Sequence, residues 1–457
     1  MKLKLINKLL LPMFAAFILG SCNDDSDNVT SIDYSADAQI YSFKLTAKPD
    51  NAIDTLNYPV LAKTLFSIDQ LNRVIFNRDS LPYQTRLKKY SVAITYSSAS
   101  PSKVELVYPD TVMEWNGTDS VDFATHLYPV FKVTAQSGYS LEYTIDLKIR
   151  KVDPDLINWS KNTTSLPSTV RDQKTVMTND GFYTYSIDND NQLYLHKTDE
   201  KVSSYEPKQG INGITASDIL LESITYFKGE LYALDKFNNA YNSSNGTDWY
   251  QKSANVKAIL GVLPSSSEDK DVLLLLTENA GKYSLAKTMD MITVTPIREL
   301  TSFELNSFPL SGFSSTVNYD RNNLNKNILA ITGGLKSDNN YSNLTWLIQT
   351  NSNGELRINS NQQHNRFQAK EGIVSFMYND YLYVLTNNKF YKSNFADSWL
   401  LAPDKEQFEE SMTSMHGQSV LIDNKNNIWI FGGIPDSGTT PFLEIWKGRI
   451  NKLNVAD

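Results

Sequence analysis

Residues 223–235 read SITYFKGELYALD, a mixed run, a tight turn at Lys228-Gly229 and a second, more apolar run. Two short strands joined by so few residues make an antiparallel hairpin. The pattern returns as SFMYNDYLYVLT at 375–386 and SVLIDNKNNIWIFGG at 419–433. The second strand of the hairpin recurs six times, as FYTYSI (182–187), ELYALD (230–235), VLLLLT (272–277), ILAITGG (328–334), YLYVLT (381–386) and IWIFGG (428–433). Equating Tyr183, Tyr232, Leu274, Leu329, Tyr383 and Trp429 gives steps of 49, 42, 55, 54 and 46 residues. Repeats of this length built from strands alone are propeller blades, so the sequence predicts a six-bladed β-propeller.

Outer strands repeat as well. YNSSNGTDW (241–249) and YKSNFADSW (391–399) share a Tyr, a Ser two residues on and a Trp eight residues on, which places Trp249 and Trp399 at equivalent sites between blades. The first of these resembles the Asp-box hairpin of sialidase-like propellers, with Ser244 or Asn245 standing where the carboxylate would be. Gly333-Gly334 and Gly432-Gly433 resemble the double glycine of kelch repeats, which four of the six strands lack. Both motifs are architectural. The last blade ends one outer strand short, whereas LINWSKN at 156–162 precedes the first blade and carries Trp159. This segment is expected to close the sixth blade and remove its open edge, giving a propeller of residues 154–457.

Upstream, residues 33–153 carry short period-2 runs without helix signals: IYSFKLTA (40–47), TLFSI (64–68), SVAITYSS (91–98), KVELVY (103–108) and a hairpin over 130–149 turning at Ser137-Gly138. They predict an antiparallel, immunoglobulin-like sandwich. The boundary falls at Val152-Asp153-Pro154-Asp155, where proline disfavours regular structure in the residue before it. The class expected for the whole chain is therefore all-β.

The N-terminus supplies an address. Lys2, Lys4 and Lys8 precede an apolar run of 11 residues, Leu9 to Leu19, too short to span a bilayer and suited to a secretory signal of residues 1–21. Leu19-Gly20-Ser21-Cys22 resembles the bacterial lipobox, which implies acylation of Cys22 and stable attachment to a membrane through lipid alone. Residues 22–32 form an acidic tether, and Asn23-Asp24-Asp25-Ser26-Asp27 resembles the signal that carries Bacteroidota lipoproteins to the outer face of the outer membrane. Cys22 is the one cysteine, so disulfides and thiolate metal sites are excluded together. A net charge of -8 and a pI near 5.2 argue against nucleic acid as a partner.

The layout, with AQIYSFKL, TLFSIDQLNRVIFNRDSLPYQT and the blade motifs, resembles a Bacteroidota surface lipoprotein family known only as a domain of unknown function. The resemblance implies a fold and a location and carries no activity. His126, His196, His364 and His416 lack metal-ligand spacing, and GxSxG, Walker and GxGxxG motifs are missing. No catalytic residue, metal or cofactor is expected. The long loops after the core strands, Leu335 to Leu344 and Ile434 to Phe442, join Asp235, Phe237, Glu278 and Asn387 as candidate binding positions, with Lys336, Tyr341 and Asp436 inside the two loops. Polar groups beside Phe237 or Tyr341 suit a sugar, whose hydroxyls need partners and whose C–H face needs an aromatic plane. The expected role is a non-catalytic binding head for a glycan or surface protein. The alternatives are a glycoside hydrolase or lyase using two channel carboxylates, and a structural partner of other outer-membrane proteins. Asp-Ser/Thr-aliphatic triplets at 54, 79, 110 and 119 resemble Bacteroidota O-glycosylation sites or are simple turns.

Overall fold

Side chains of strand Val130–Thr134 alternate between core and surface, with Phe131 and Val133 fully buried, and Tyr143 and Ile145 do the same in Ser140–Asp146. That period is what a sheet with one covered face requires. The structure, a computed structural model, describes residues 33–46, 60–96, 100–167, 170–320, 323, 326–351, 354–360, 366–394, 396–408, 415–436 and 440–453. Cys22 and the tether lie outside the described residues. The chain divides into two compact units, Met1–Lys151 and Val152–Asp457.

In the first unit the two strands above form a hairpin whose turn places Gly138 at φ +87, its N–H donating to Ala135 O at 3.0 Å. They belong to a six-stranded sheet in the order Phe66–Asp69, Val74–Asn77, Ser140–Asp146, Val130–Thr134, Lys103–Val107, Val112–Glu114. Val74–Asn77 is missing from the sequence expectation, because three apolar residues between Arg73 and Asn77 are too few to signal a strand. It pairs parallel to Ser140–Asp146, whereas the other neighbours in the sheet are antiparallel. Two-stranded ribbons, Ile40–Leu45 with Val92–Tyr96 and Lys89–Tyr90 with Val121–Asp122, complete the unit. Ile40, Phe43, Val92, Leu106, Phe131 and Tyr143 share one core.

The second unit is made of four-stranded antiparallel sheets, each running outward from its innermost strand. Sheet 1 is Val170–Thr178, Gly181–Asp188, Leu193–Thr198, Gln209–Gly210; sheet 2 is Ile219–Phe227, Glu230–Asp235, Ala240–Ser243, Tyr250–Ser253; sheet 3 is Val256–Leu263, Val272–Asn279, Lys282–Thr288, Thr295–Glu299. Sheet 4 is Ser311–Asn318, Ile328–Leu335, Thr345–Thr350, Leu356–Asn359, and sheet 5 is Val374–Tyr378, Tyr381–Thr386, Lys389–Ser393, Leu400–Leu401. Sheet 6 is Ser419–Ile422, Ile428–Phe431, Ile445–Ile450 and, from the start of the unit, Ile157–Lys161. The innermost strands touch in a closed cycle, 1 to 2 and onward to 6, and 6 back to 1, which is a propeller-like arrangement.

Each junction in the cycle has its own apolar cluster drawn from two consecutive sheets. In Val272–Asn279, Leu273 and Leu275 pack toward sheet 2 while Leu274 and Leu276 pack toward sheet 4. A strand covered on both faces reads as an unbroken apolar run, which is why VLLLLT shows no alternation.

The tryptophans seal these junctions. Trp249 of sheet 2 meets Tyr185 of sheet 1 edge to face at 5.8 Å, and Trp399 of sheet 5 meets Phe367 edge to face at 5.4 Å. The hairpin before Trp249 is held by Ser243 Oγ, which accepts from Gly246 N at 2.9 Å, and by Asn245 Oδ1, which accepts from the N–H groups of Thr247 and Asp248 at 2.9 Å each. Gly246 sits at φ +87 with no room for a Cβ, which would lie 2.8 Å from Leu195 Cδ2 of sheet 1. Trp159, inside the outermost strand of sheet 6, stacks on Phe390 of sheet 5 at 5.6 Å. Truncating Trp249 or Trp399 to Ala should each cost about 3 to 5 kcal/mol in urea unfolding. A loss under about 1 kcal/mol would show that the junction is not packed around the ring.

Candidate functional site

Antiparallel order puts two sets of loops at one end of the cycle: those leading into the innermost strands and those following the second strands. Asp235, Phe237, Glu278, Lys336, Tyr341, Asn387 and Asp436 all lie in or beside the second set. The structure gathers only some of them.

Around sheets 5 and 6 a polar network forms. Lys370 Nζ donates to Asn387 Oδ1 at 3.2 Å and to Asp436 Oδ2, and Asn387 Nδ2 donates to Gln368 Oε1 at 3.1 Å. The other Asp436 oxygen meets His416 Nδ1 at 3.1 Å. Backbone register sets this contact, since Met415–His416 pairs with Ile434–Pro435 immediately before Asp436. Gly372, at φ +63, lets the segment bearing Lys370 and Glu371 cross His416, because a Cβ there would fall 2.7 Å from His416 Cβ. The Tyr341 hydroxyl is pushed above its usual range by burial and then by the neighbouring Glu371 carboxylate. The Lys370, His416 and Asp436 side chains keep only 18, 24 and 30% of their surface, half-buried yet open to water.

The other predicted residues are occupied elsewhere. Asp235 is a correction: it is 2% exposed and its carboxylate accepts from Phe237 N at 2.9 Å, Asn239 N at 2.8 Å, Asn239 Nδ2 at 2.8 Å and Tyr241 Oη at 3.2 Å. It shapes a turn and has no face to offer a ligand. Asp188 and Asp423 do the same in DNDNQ and DNKNN, and Asn191, Asn238 and Asn426 take the left-handed position at φ 57, 64 and 60. The recurring Asp-x-x-Asn-Asn/Gln was the sequence signal for this role. Phe237 is 64% exposed under the Lys236 ammonium at 5.1 Å, Glu278 faces Asn238 Nδ2 at 3.5 Å, and Lys336 pairs with Asp338 at 2.8 Å in its own loop.

Sequence reasoning missed Lys370 and Glu371, which stand in a loop without periodicity, His416, whose strand is two residues long, and the charged residues of the innermost strands. On Val170–Thr178, Gln173 is tied to sheet 6 through Phe431 O at 2.9 Å, so Asp172 and Lys174 take the alternate side. Asp172 keeps an exposed surface, yet the strands crowded around it desolvate its carboxyl and push it up, opposed by the Gln173 N–H, Arg171 and His416. Burial pushes the Lys174 ammonium down, opposed by Glu222 of sheet 2. Charges at 171, 172 and 174 in a strand bound for a core were the available signal. Among the described residues no three His, Cys, Asp or Glu side chains gather as metal ligands.

A raised carboxyl favours folding while protonated, and that contribution fades as pH climbs through the folded-state value. Asp172→Asn should therefore raise the melting temperature at pH 7, and the gain should vanish below about pH 4, where free Asp is itself protonated. Melting curves across pH check this, and a gain that is independent of pH would contradict it.

An all-β chain whose second unit closes a cycle of antiparallel sheets around a polar loop end is a propeller-type protein. Its N-terminal region, 28–147, matches the domain of unknown function DUF6242 N-terminal domain, and residues 153–457 match the DUF6242 beta propeller domain. The chain belongs to the DUF6242 family. No curated protein matches it. Similar solved structures include YjhT (12% identity, 62% of this chain and 95% of that one, TM-score 0.44). A DUF4623 family protein from Bacteroides eggerthii shows 10% identity over 90% of this chain and 98% of its own, with TM-score 0.38. An auxiliary nutrient binding protein from Bacteroides thetaiotaomicron shows 9% identity over 81% and 98%, with TM-score 0.39. These values are too low to carry function across.

Proposed function

We propose that this is a lipid-anchored protein of the outer membrane, facing the exterior, whose propeller is a non-catalytic binding head for a glycan or a surface protein, with a glycan as the favoured ligand. In this reading residues 33–153 are an immunoglobulin-like spacer. The six sheets are the blades of a six-bladed propeller that residues 156–162 close. The observation that carries it is the Tyr341, Lys370, Asn387, His416 and Asp436 constellation at one end of the cycle. It supplies ammonium, amide, imidazole and carboxylate groups, half-buried and water-accessible, with the exposed Tyr341 ring tied in through Glu371 next to Lys370, as hydroxyl-rich ligands need. Asp436 has both oxygens engaged, one by Lys370 and the other by His416, which fixes the orientation of its carboxylate.

The glycoside hydrolase alternative would draw on carboxylates at this end, and Asp172, whose carboxyl is pushed up by desolvation, is the one whose substitution tests it. Glycan binding and turnover should therefore be measured on the same sugars with the soluble 31–457 chain. Binding without turnover is expected. Lys370→Ala and Tyr341→Ala should each weaken it about tenfold, or about 1.4 kcal/mol, while melting temperature stays unchanged. Turnover lost in Asp172→Asn would establish the hydrolase instead.

The anchor has its own test. Cys22→Ser should abolish palmitate incorporation and leave an unprocessed or soluble chain. Labelling that persists in the variant would remove the anchor from this reading.

A further inference from the structure

Three segments of the first unit meet beside Asp33. Ser137 N in the hairpin turn donates to Ser35 O at 3.1 Å, joining the turn to the entering chain. Gln70 Nε2 donates to Ile40 O at 2.7 Å, and Tyr143 Oη donates to Gln70 Oε1 at 2.6 Å, which fastens the 69–73 turn to the same place. That turn is rigid: Asp69 Oδ1 accepts from Leu71 N and Asn72 N at 3.0 Å each, and Asp69 Oδ2 accepts from Asn72 Nδ2 at 2.7 Å. At its tip Leu71 is 93% exposed, with Tyr34 at 55% and Tyr139 at 52% on the adjoining segments. An open depression of about 510 Å³ lies among them, lined by Ala36, Asp37, Leu71, Arg73 and Tyr139.

A single exposed leucine is ordinary. A leucine held outward by three hydrogen bonds, flanked by two half-exposed tyrosines and an arginine, has the composition of a membrane-interface contact: an apolar tip, phenols at headgroup depth and a cation for phosphate. Chain length says what covers it. Resting on the reading of Cys22 as the anchor, the 11 residues from Cys22 to Asp33 can span at most about 40 Å when fully extended. This face is therefore leashed to the bilayer surface.

We propose that the face formed by Tyr34, Leu71, Arg73 and Tyr139 seats the first unit against the lipid bilayer, with Leu71 reaching the acyl boundary. The test uses the full-length acylated protein. Acylation consumes the thiol of Cys22, the one native cysteine, so Leu71→Cys carries the single thiol open to a polarity-sensitive NBD maleimide. Leu127→Cys is the control, 58% exposed and at the opposite end of strand Val130–Thr134 from the 135–139 turn. In vesicles of equal parts phosphatidylethanolamine and brominated phosphatidylcholine, the label at 71 should brighten several-fold, shift to the blue and be quenched by the bromines, while the label at 127 stays as in water. Palmitate incorporation is read in the same sample. Acylated, vesicle-bound protein with a label at 71 as wet as that at 127 overturns the proposal and leaves the anchor standing. Failure of palmitate to incorporate removes the anchor and the proposal with it.

Discussion

A four-stranded sheet with apolar side chains on both faces cannot stop. Each face must meet another sheet, and the last must meet the first, or one face stays in water. Everything in the second unit follows from that demand. Leu273 and Leu275 serve one neighbour and Leu274 and Leu276 the other. Indole rings fill the wedge-shaped space that opens between sheets as they diverge from the centre, as Trp249 does against Tyr185. The polar ties between innermost strands, such as Thr175 N to Ser419 Oγ at 2.9 Å and Thr316 with Ser375 at 2.8 Å, satisfy groups that closure has taken from water.

The all-β, propeller-like character was legible because its cause is local and repeated. A continuous apolar run preceded by a tight turn is the imprint of a doubly covered strand, and six such runs at similar spacing leave few alternatives. Val74–Asn77 was illegible because three apolar residues are too short a run to announce a strand; beside its local hairpin with Phe66–Asp69, its other pairing is parallel and distant. The loop end was legible only as a place. Asp235 looked like a ligand group because a sequence shows a carboxylate without showing which N–H groups surround it. Lys370 and His416 were invisible for the converse reason. Their importance comes from Asp436, 66 residues from the one and 20 from the other, and no periodic pattern links them.

The constellation at the loop end is also an instance of charge placed where burial is partial. Lys370 bridges Asn387 and Asp436, and Gly372 supplies a backbone position slim enough to cross His416. Such a cluster keeps its geometry through mutual contacts and leaves some of its polar surface in water, whereas Asp188, Asp235 and Asp423 spend their oxygens on their own turns.

The pairing of Ile157–Lys161 with Ile445–Ile450 has a consequence for biogenesis. The strand at 157 is made among the first of its unit and its partner among the last, so throughout synthesis one bare edge waits for a mate nearly the whole unit away. Hairpins such as 223–235 form from neighbours in sequence and need no such wait. Proofreading is thereby built into chain order: a molecule truncated anywhere before 445 keeps its first strand unpaired, a ready mark for proteases and chaperones that patrol unfinished chains.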